Sequence, residues 1–156
     1  MSAWLYNDEP VTSTDQMPPK TIGFIYLITQ LSTGKKYIGR KMITKAGRKT
    51  TNGKTKKIRV ENDWQTYWSS SPVVQELVKE IGEQDFKREI LVYTTSKGSS
   101  SYLEEMALHM VGALESDDFL NNNIRARIFR NWVKPEEAKQ LRQQILKFDL
   151  QPKVDV

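Results

Sequence analysis

Residues 21–41 read TIGFIYLITQLSTGKKYIGRK and hold the two tyrosines, Tyr26 and Tyr37, on which the interpretation of this chain depends. Two short runs rich in isoleucine, tyrosine and phenylalanine, 24–29 and 36–39, are joined by a Ser-Thr-Gly triplet. Apolar runs separated by a few turn residues are typical of a β-hairpin. The stretch therefore predicts two antiparallel strands with one tyrosine on each.

The two phenols can project together from one face of this hairpin. They would then offer two polar groups that stabilise or deprotonate something bound there. The alternative is a pair of half-buried strand tyrosines whose hydroxyls lie in water. The spacing alone does not choose between the two interpretations.

Charge is distributed very unevenly along the chain. Twelve Lys or Arg and no Asp or Glu lie between Lys20 and Arg59, whereas the remainder holds the other twelve basic residues and all nineteen acidic ones. The formal net charge of +5 thus combines a segment of +12 with a remainder of −7. Such asymmetry within one small domain indicates a surface for a polyanion. A solvated lysine-rich loop is the alternative, and the absence of an apolar helical stripe disfavours a membrane surface.

Within the basic segment, Asn52-Gly53 is the signal of a type I′ turn. It predicts a basic two-stranded ribbon from about Ile43 to Val60. A ribbon of this kind is narrow enough to enter the major groove of DNA, where its cations would neutralise phosphates. The alternative is a segment that stays disordered until DNA binds.

The two halves FIY at 24–26 and YIG at 37–39 together resemble the paired signature of the GIY-YIG nuclease superfamily, with Phe24 in place of the usual first glycine. The resemblance continues through about residue 130. Within the superfamily, the chain most resembles the small phage-encoded members called Seg-like homing endonucleases. Four later segments carry it: DWQTYWSSS at 63–71, FKREILVY at 86–93, SYLEEMALHMV at 101–111 and DDFLNNNI at 117–124.

This resemblance implies an α+β fold, with a small three-stranded antiparallel sheet flanked by helices, the inserted basic ribbon and a C-terminal helix. We expect a flexible arm over residues 1–20, because it contains three prolines and little periodicity. The nuclease domain would span 21–130. Residues 131–156 would form an amphipathic helix and tail, because apolar residues recur at helical spacing after Pro135. That helix would pack on the core or form a dimer seam.

The resemblance also assigns catalytic roles. Tyr26 would be the general base that activates water, and Tyr37 would hydrogen-bond the phosphate or the nucleophile. Glu104 would be the protein ligand of one Mg²⁺ or Mn²⁺ ion, since hard cations prefer carboxylate oxygens. The alternative for Glu104 is a capping box with Ser101. Cations nearby in sequence would favour the phenolate form of Tyr26.

The resemblance also implies a catalytic arginine, for which the sequence offers several candidates. Its usual spacing suggests Arg48, but the inserted ribbon makes Arg40, Lys41 or Arg59 equally defensible, and Arg40 and Lys41 are taken as catalytic candidates. Tyr67 would replace a histidine often found nearby, while His109 is interpreted as structural. The DNA-binding candidates are Lys36, Arg48, Arg59, Tyr67, Asn121, Arg125 and Arg127.

Two of these groups have structural alternatives. Asn121, the first of three consecutive asparagines, would position a phosphate or simply end a helix and cap the next element. Arg125 and Arg127 belong to a second basic cluster, which would contact the DNA backbone or only solvate a surface.

The sequence thus predicts a metal-dependent DNA endonuclease that leaves 5′-phosphate and 3′-hydroxyl ends. The alternative is a non-cleaving nucleic-acid-binding accessory protein that uses the same basic surface. DNA is the expected partner, with a homodimer possible and no membrane involved. The chain has no cysteine and nothing resembling a signal peptide or a membrane span, so we expect the cytoplasm, or the host cytoplasm for a phage protein.

Overall fold

The computed structural model describes residues 2–124 and 127–153. Helices and strands alternate irregularly along this part of the chain. The strands are β1 (Trp4–Tyr6), β2 (Glu9–Val11), β3 (Gly23–Gln30), β4 (Lys36–Met42), β5 (Thr44–Thr51), β6 (Lys54–Glu61) and β7 (Phe86–Thr94), and the α-helices are α1 (Pro72–Ile81), α2 (Lys97–Met110) and α3 (Pro135–Lys147). The mixed α and β character agrees with the predicted class.

The main sheet has five strands in the spatial order β2-β1-β7-β3-β4. Strands β3 and β4 form the predicted hairpin, and β3 also pairs antiparallel with β7. The expected three-stranded sheet is therefore wrong in strand number, because β1 adds to the far edge of β7 in parallel and β2 pairs with β1. β4 remains as the opposite edge strand, and this edge borders the candidate site.

The N-terminal segment is an ordered part of the sheet, which differs from the flexible arm expected from its prolines. Trp4 is only 1% exposed, and its indole N–H donates to the Trp64 carbonyl at 2.8 Å. Its ring lies 4.9 Å from Phe24 and 5.3 Å from Tyr26 between centroids. Burying so large an aromatic surface offsets the cost of ordering a short strand. Pro10 is tolerated because β2 lies at the edge.

The sheet separates two apolar layers. On one face, α2 and α3 pack against Ile25, Leu27 and Ile38. On the other face, α1 and the segment that precedes it cover Phe24, Tyr26 and Ile28. The C-terminal helix belongs to the first layer through its buried residues Ala138, Leu141 and Ile145. Of the two roles left open for it, the structure shows core packing.

The predicted ribbon is confirmed. Strands β5 and β6 pair along their whole length, from Thr44 opposite Glu61 to Thr51 opposite Lys54. Asn52 and Gly53 both have positive φ, of 52° and 76°, as a type I′ turn requires. No residue in 44–61 is buried, so the ribbon projects from the body instead of contributing to its core.

Among the described residues, the helices are too short or too polar for any of them to cross a membrane.

Candidate active site

The two signature tyrosines share one face of the β3–β4 hairpin. Tyr26 lies opposite Gly39, and Tyr37 lies opposite Ile28 in the register of the strands. Their ring centroids are 6.2 Å apart with planes inclined at 32°. A Cβ at position 39 would lie 2.6 Å from the Tyr26 Cζ. The glycine of the YIG triplet is therefore needed because the first phenol lies across its backbone.

A third phenol completes this group. Tyr67 lies in the segment between the ribbon and α1, residues 62–71, here called the active-site loop. Its ring is 6.0 Å from that of Tyr26 in an edge-to-face arrangement. The Lys41 ammonium is 4.2 Å from the Tyr67 ring centroid and 3.8 Å from an Asp63 carboxylate oxygen. Tyr67 and Lys41, both sequence candidates, thus lie beside the signature tyrosines.

Ser69 is a member of the site that sequence reasoning missed. It is buried, and its φ of 92° lies in a region that non-glycine residues rarely adopt. Its hydroxyl accepts a hydrogen bond from the Ser71 N–H at 3.0 Å. The same hydroxyl lies close enough to Tyr26 and Tyr37 to lower the pKa of both phenols, against the larger effect of burial. Three consecutive serines before a proline predict a helix cap, and only Ser71 has that role. No sequence signal distinguishes Ser69 from its neighbours.

The electrostatics of Tyr26 differ from the sequence-based expectation. Burial raises the pKa of its phenol well above the ordinary value, and the neighbouring Tyr67 and Tyr37 raise it further. The hydrogen bond from Ser69 opposes this shift only in part. The expectation that nearby cations favour phenolate is therefore not met, because burial of the phenol has the largest effect on its pKa. Tyr26 is a neutral phenol near pH 7.

Glu104 lies on α2 and faces the edge strand β4. Its carboxylate is 3.9 Å from the Arg40 Nε, and Arg40 also donates to the Ser101 hydroxyl. Burial raises the pKa of Glu104, and the Arg40 charge only partly opposes this. The same carboxylate contributes to the raised pKa of Tyr37, whose largest cause is burial. Glu104, Tyr37 and Arg40 therefore lie close enough to act on one bound group.

A small cleft of about 90 Å³ opens at this point, lined by Tyr37, Glu104, Glu105 and Asn121 among others. Among the described residues no three His, Cys, Asp or Glu side chains meet as a ready-made metal site. The donor set still fits a hard divalent cation, since Mg²⁺ is often held by one or two carboxylates with water in its other positions. The positive charge of such an ion would lower the raised pKa of Glu104.

His109, interpreted from sequence as structural, lies near Glu105 on the same helix. Its Nε2 is 3.6 Å from the Glu105 carboxylate, an i,i+4 spacing. His109 therefore contacts Glu105, whereas Arg40 contacts Glu104.

The carboxamide of Asn121, for which a phosphate contact and a structural role were both open, bonds the backbone of β4. Its carboxamide oxygen accepts from the Ile38 N–H at 3.0 Å, and its amide nitrogen donates to the Ile38 carbonyl at 2.7 Å. The preceding residues pair with the same edge, where the Lys36 N–H donates to the Asp118 carbonyl and the Leu120 N–H to that of Lys36. Asn121 therefore covers the exposed edge of β4 and holds the YIG strand in place.

The other predicted DNA contacts lie at the periphery. Lys36 is on β4, and its ammonium donates to the Gly34 carbonyl at 2.8 Å. Arg48 and Arg59 lie on the ribbon, where Arg59 bonds the Thr44 carbonyl at 2.9 Å, so neither is beside Glu104. Arg127 is exposed, with its guanidinium 5.3 Å from the Phe129 ring centroid. Arg125 lies outside the described residues. Of the arginines weighed for the family role, the structure brings Arg40 to Glu104.

A tyrosine pair on a β-hairpin, with an arginine and a helix carboxylate beside it, defines the GIY-YIG class of domain. A family model described as "Putative endonuclease segE, GIY-YIG domain" matches residues 4–124. The chain belongs to this family of endonuclease domains, which confirms the Seg-like resemblance. The match begins at Trp4 and therefore includes strands β1 and β2. Neither a curated protein nor a solved structure matches the chain.

Proposed function

We propose that this protein is a metal-dependent DNA endonuclease that hydrolyses phosphodiester bonds to 5′-phosphate and 3′-hydroxyl ends. The observation that carries the proposal is the cleft shared by Tyr37 and Glu104, with Arg40 3.9 Å from the carboxylate. A DNA-binding module has no use for a half-buried carboxylate with a raised pKa among its cations. Family membership supports nuclease chemistry at this cleft. A phage origin is part of the proposal and rests on the Seg-like relationship.

The ribbon supports DNA as the substrate. Seven cations lie on it: Lys45, Arg48, Lys49, Lys54, Lys56, Lys57 and Arg59. Two cross-strand pairs place like charges directly opposite each other, Arg48 with Lys57 and Lys49 with Lys56. Such pairs destabilise an isolated ribbon. A polyanion that inserts between or along these charges converts the repulsion into attraction, as phosphate contacts do in protein–DNA complexes.

Tyr26 would take the proton from the attacking water. Because its pKa is raised, the phenol must first lose its own proton, and the reactive fraction therefore grows with pH. The Ser69 hydroxyl favours this step by donating to the phenolate, since a hydrogen bond to the charged form stabilises it. Tyr37, which is less buried, would donate to a non-bridging oxygen of the phosphate.

Arg40 and Lys41 would hold the negative charge that develops on the phosphate. Consecutive residues on a strand project to opposite faces, so Arg40 lies on the Glu104 side and Lys41 on the Tyr67 side. The scissile phosphate would bind at the edge of β4, between these two cations. Preorganised positive charge at this position stabilises the transition state more than the ground state.

Glu104 would hold a Mg²⁺ or Mn²⁺ ion. When bound, the ion supplies positive charge for the departing 3′ oxygen. The bond broken is that between phosphorus and the 3′ oxygen, and the bond formed joins phosphorus to the water oxygen. The departing 3′ oxygen takes a proton from solvent water to become the 3′-hydroxyl, and the phosphate stays on the 5′ end of the downstream fragment.

The experiment is conversion of supercoiled plasmid by the purified protein in Mg²⁺ or Mn²⁺, with EDTA as the metal-free control. Glu104→Gln removes the carboxylate charge with little change in shape, and Glu80→Gln makes the same change at an exposed position of α1, outside the cleft. We expect nicked plasmid from the wild type and from Glu80→Gln, and a loss of about 10³-fold for Glu104→Gln. Product ends are checked by ligation and by 5′ labelling with and without phosphatase.

Another outcome is that the wild type leaves both plasmid and genomic DNA uncut and still gives a strong, salt-dependent gel shift. That result would instead identify a non-cleaving binding protein. Equal activity of both glutamine variants would remove Glu104 from its assigned role. One active site cuts one strand, so a single copy is expected to nick. Linear product that appears without a nicked intermediate would indicate two cooperating copies, which sedimentation at working concentration would detect.

A further inference from the structure

Arg88 is a buried cation outside the chemistry described so far. It lies on β7, on the same face of the sheet as Tyr26, and is only 3% exposed. Its guanidinium lies between two indoles, 4.7 Å from the Trp4 ring and 4.3 Å from the Trp68 ring. Such a sandwich fixes the plane of the guanidinium and so the direction of its N–H groups.

Those N–H groups hold two backbone carbonyls that are far apart in sequence. Nη1 donates to the Tyr67 carbonyl at 2.7 Å, and Nη2 donates to the Ser2 carbonyl. The indole of Trp4 meanwhile donates to the Trp64 carbonyl at 2.8 Å. The active-site loop is therefore tied at two points, positions 64 and 67, to β1 and β7.

The loop needs such ties because its own conformation is strained. Ser69, two residues beyond the Tyr67 carbonyl, has a φ of 92°, a backbone conformation that non-glycine residues rarely adopt. Backbone strain of this kind persists only when the surroundings over-determine it. The hydroxyl of Ser69 and the ring of Tyr67 reach Tyr26 from this loop. The position of both groups relative to Tyr26 depends on how the loop is held.

We propose that Arg88 is a positioning residue that fixes the active-site loop, so that Tyr67 and Ser69 meet the phenol of Tyr26. The inference rests on the proposed function, since the positioning serves the cleavage reaction. It also gives the N-terminal strand a part in the site, because Trp4 and the Ser2 carbonyl complete the surroundings of Arg88. The guanidinium never touches substrate and acts only through the loop.

Energetics support a role beyond packing. Burial lowers the pKa of Arg88 to about 10, a sign of the cost of removing this charge from water. The Nε atom is buried without a hydrogen-bond partner among the described residues. An apolar side chain of similar volume often replaces such a charge at no loss of stability. An apolar side chain would, however, lack the directed hydrogen bond that Arg88 donates to the Tyr67 carbonyl of the loop.

The test compares Arg88→Met and Arg88→Lys with the wild type in single-turnover cleavage, DNA binding and thermal unfolding. Methionine keeps the volume without donors, and lysine keeps the charge without the planar fork. We expect the cleavage rate at saturating DNA to fall about 10²-fold for Arg88→Met, with a smaller loss for Arg88→Lys. The DNA dissociation constant should stay within about twofold, because the ribbon is untouched.

Two further variants separate positioning from stability. Leu141→Ala removes core volume on the opposite face of the sheet, and we expect it to lower the unfolding midpoint without changing the rate of the folded protein. Tyr67→Phe combined with Arg88→Met should lose little more than the larger single effect, since both act through one loop. A wild-type rate for Arg88→Met, or a rate loss that follows only the folded fraction, would overturn the proposal.

Hydrogen exchange keeps the proposal testable if the wild type cleaves no DNA. Faster exchange of backbone amides in residues 62–71 of Arg88→Met, with unchanged exchange in α2, would support the loop clamp while the nuclease assignment fails. Unchanged exchange in residues 62–71 would overturn the clamp whatever the activity.

Discussion

The hairpin of the main sheet and the projecting ribbon are both pairs of antiparallel strands, yet their surroundings are opposite. Every residue of β3 except Thr29 is buried, whereas none of residues 44–61 is. The hairpin carries Tyr26 and Tyr37, which pack with Tyr67 of the active-site loop, and its strand β4 borders Glu104 of α2. The ribbon carries cations on both faces and no core, and a two-stranded hairpin alone is marginally stable in water.

This difference separates two requirements of a nuclease. Chemistry needs side chains held within a fraction of an ångström, which dense packing provides. Affinity for DNA needs many cations that reach phosphates along a duplex, and in the proposed function the exposed ribbon would provide them at the cost of its own stability. We therefore expect changes in the sheet to alter stability and rate, and changes in the ribbon to alter DNA affinity.

The largest effect is expected from Trp4→Ala. It removes an indole that is 1% exposed and the hydrogen bond to the Trp64 carbonyl. Truncation of a buried tryptophan costs about 3–5 kcal/mol, measured here by urea unfolding. A change below about 0.5 kcal/mol would show that the N-terminal segment is the mobile arm predicted from its composition.

Tyr26→Phe is expected to keep the fold and lose about 10²-fold in cleavage rate. In the wild type, kcat/KM should rise about tenfold per pH unit from neutrality, because the phenol pKa is raised and the reactive phenolate is the minor form. The variant should lose this slope. A flat wild-type profile between pH 7 and about 9 would assign the base elsewhere.

Replacing Lys45, Lys49 and Lys56 by glutamine is expected to weaken DNA binding without slowing cleavage at saturating DNA. Each lost phosphate contact should reduce the slope of log K against log salt by about 0.9. Relief of the Lys49–Lys56 repulsion should leave the ribbon as stable as before or more so.

The matched control removes three positive charges outside the ribbon. Glutamine replaces Lys79, Lys139 and Arg142, which are exposed on α1 and α3. An equal reduction of the salt slope in the control would mean that total charge, and not the ribbon, governs DNA affinity.

Gly53→Ala is the smallest of these effects. The glycine has a φ of 76° with open space around its missing Cβ, so the substitution adds only backbone strain of about 1 kcal/mol. Amide exchange should quicken within residues 44–61 while the unfolding midpoint of the sheet stays unchanged. A shift of the midpoint would show that the ribbon and the sheet unfold as one unit.

Local patterns predicted much of this molecule. The Ser-Thr-Gly turn with its flanking apolar runs predicted the hairpin, and Asn52-Gly53 predicted the ribbon. These features depend on residues close in sequence, which is why the pattern was sufficient.

Features that depend on distant partners were not predicted. Strands β1 and β2 are three residues each, too short for a periodic signal, although Asn7 and Asp8 between them form a positive-φ turn. Cations near Tyr26 in sequence suggested a lowered pKa, but burial under Trp4 and Tyr67 reverses the direction. Asn121 pairs with Ile38, eighty-three residues away, and no local pattern contains that contact.

The most direct test of the division between sheet and ribbon measures two quantities, the cleavage rate at saturating DNA and the DNA dissociation constant, for Glu104→Gln and the three-lysine ribbon variant. We predict that Glu104→Gln binds DNA as the wild type does and fails to cut it. The ribbon variant should bind weakly and cut at the wild-type rate once saturated. A lower cleavage rate of the ribbon variant at saturating DNA, or cleavage of DNA by Glu104→Gln, would contradict the account.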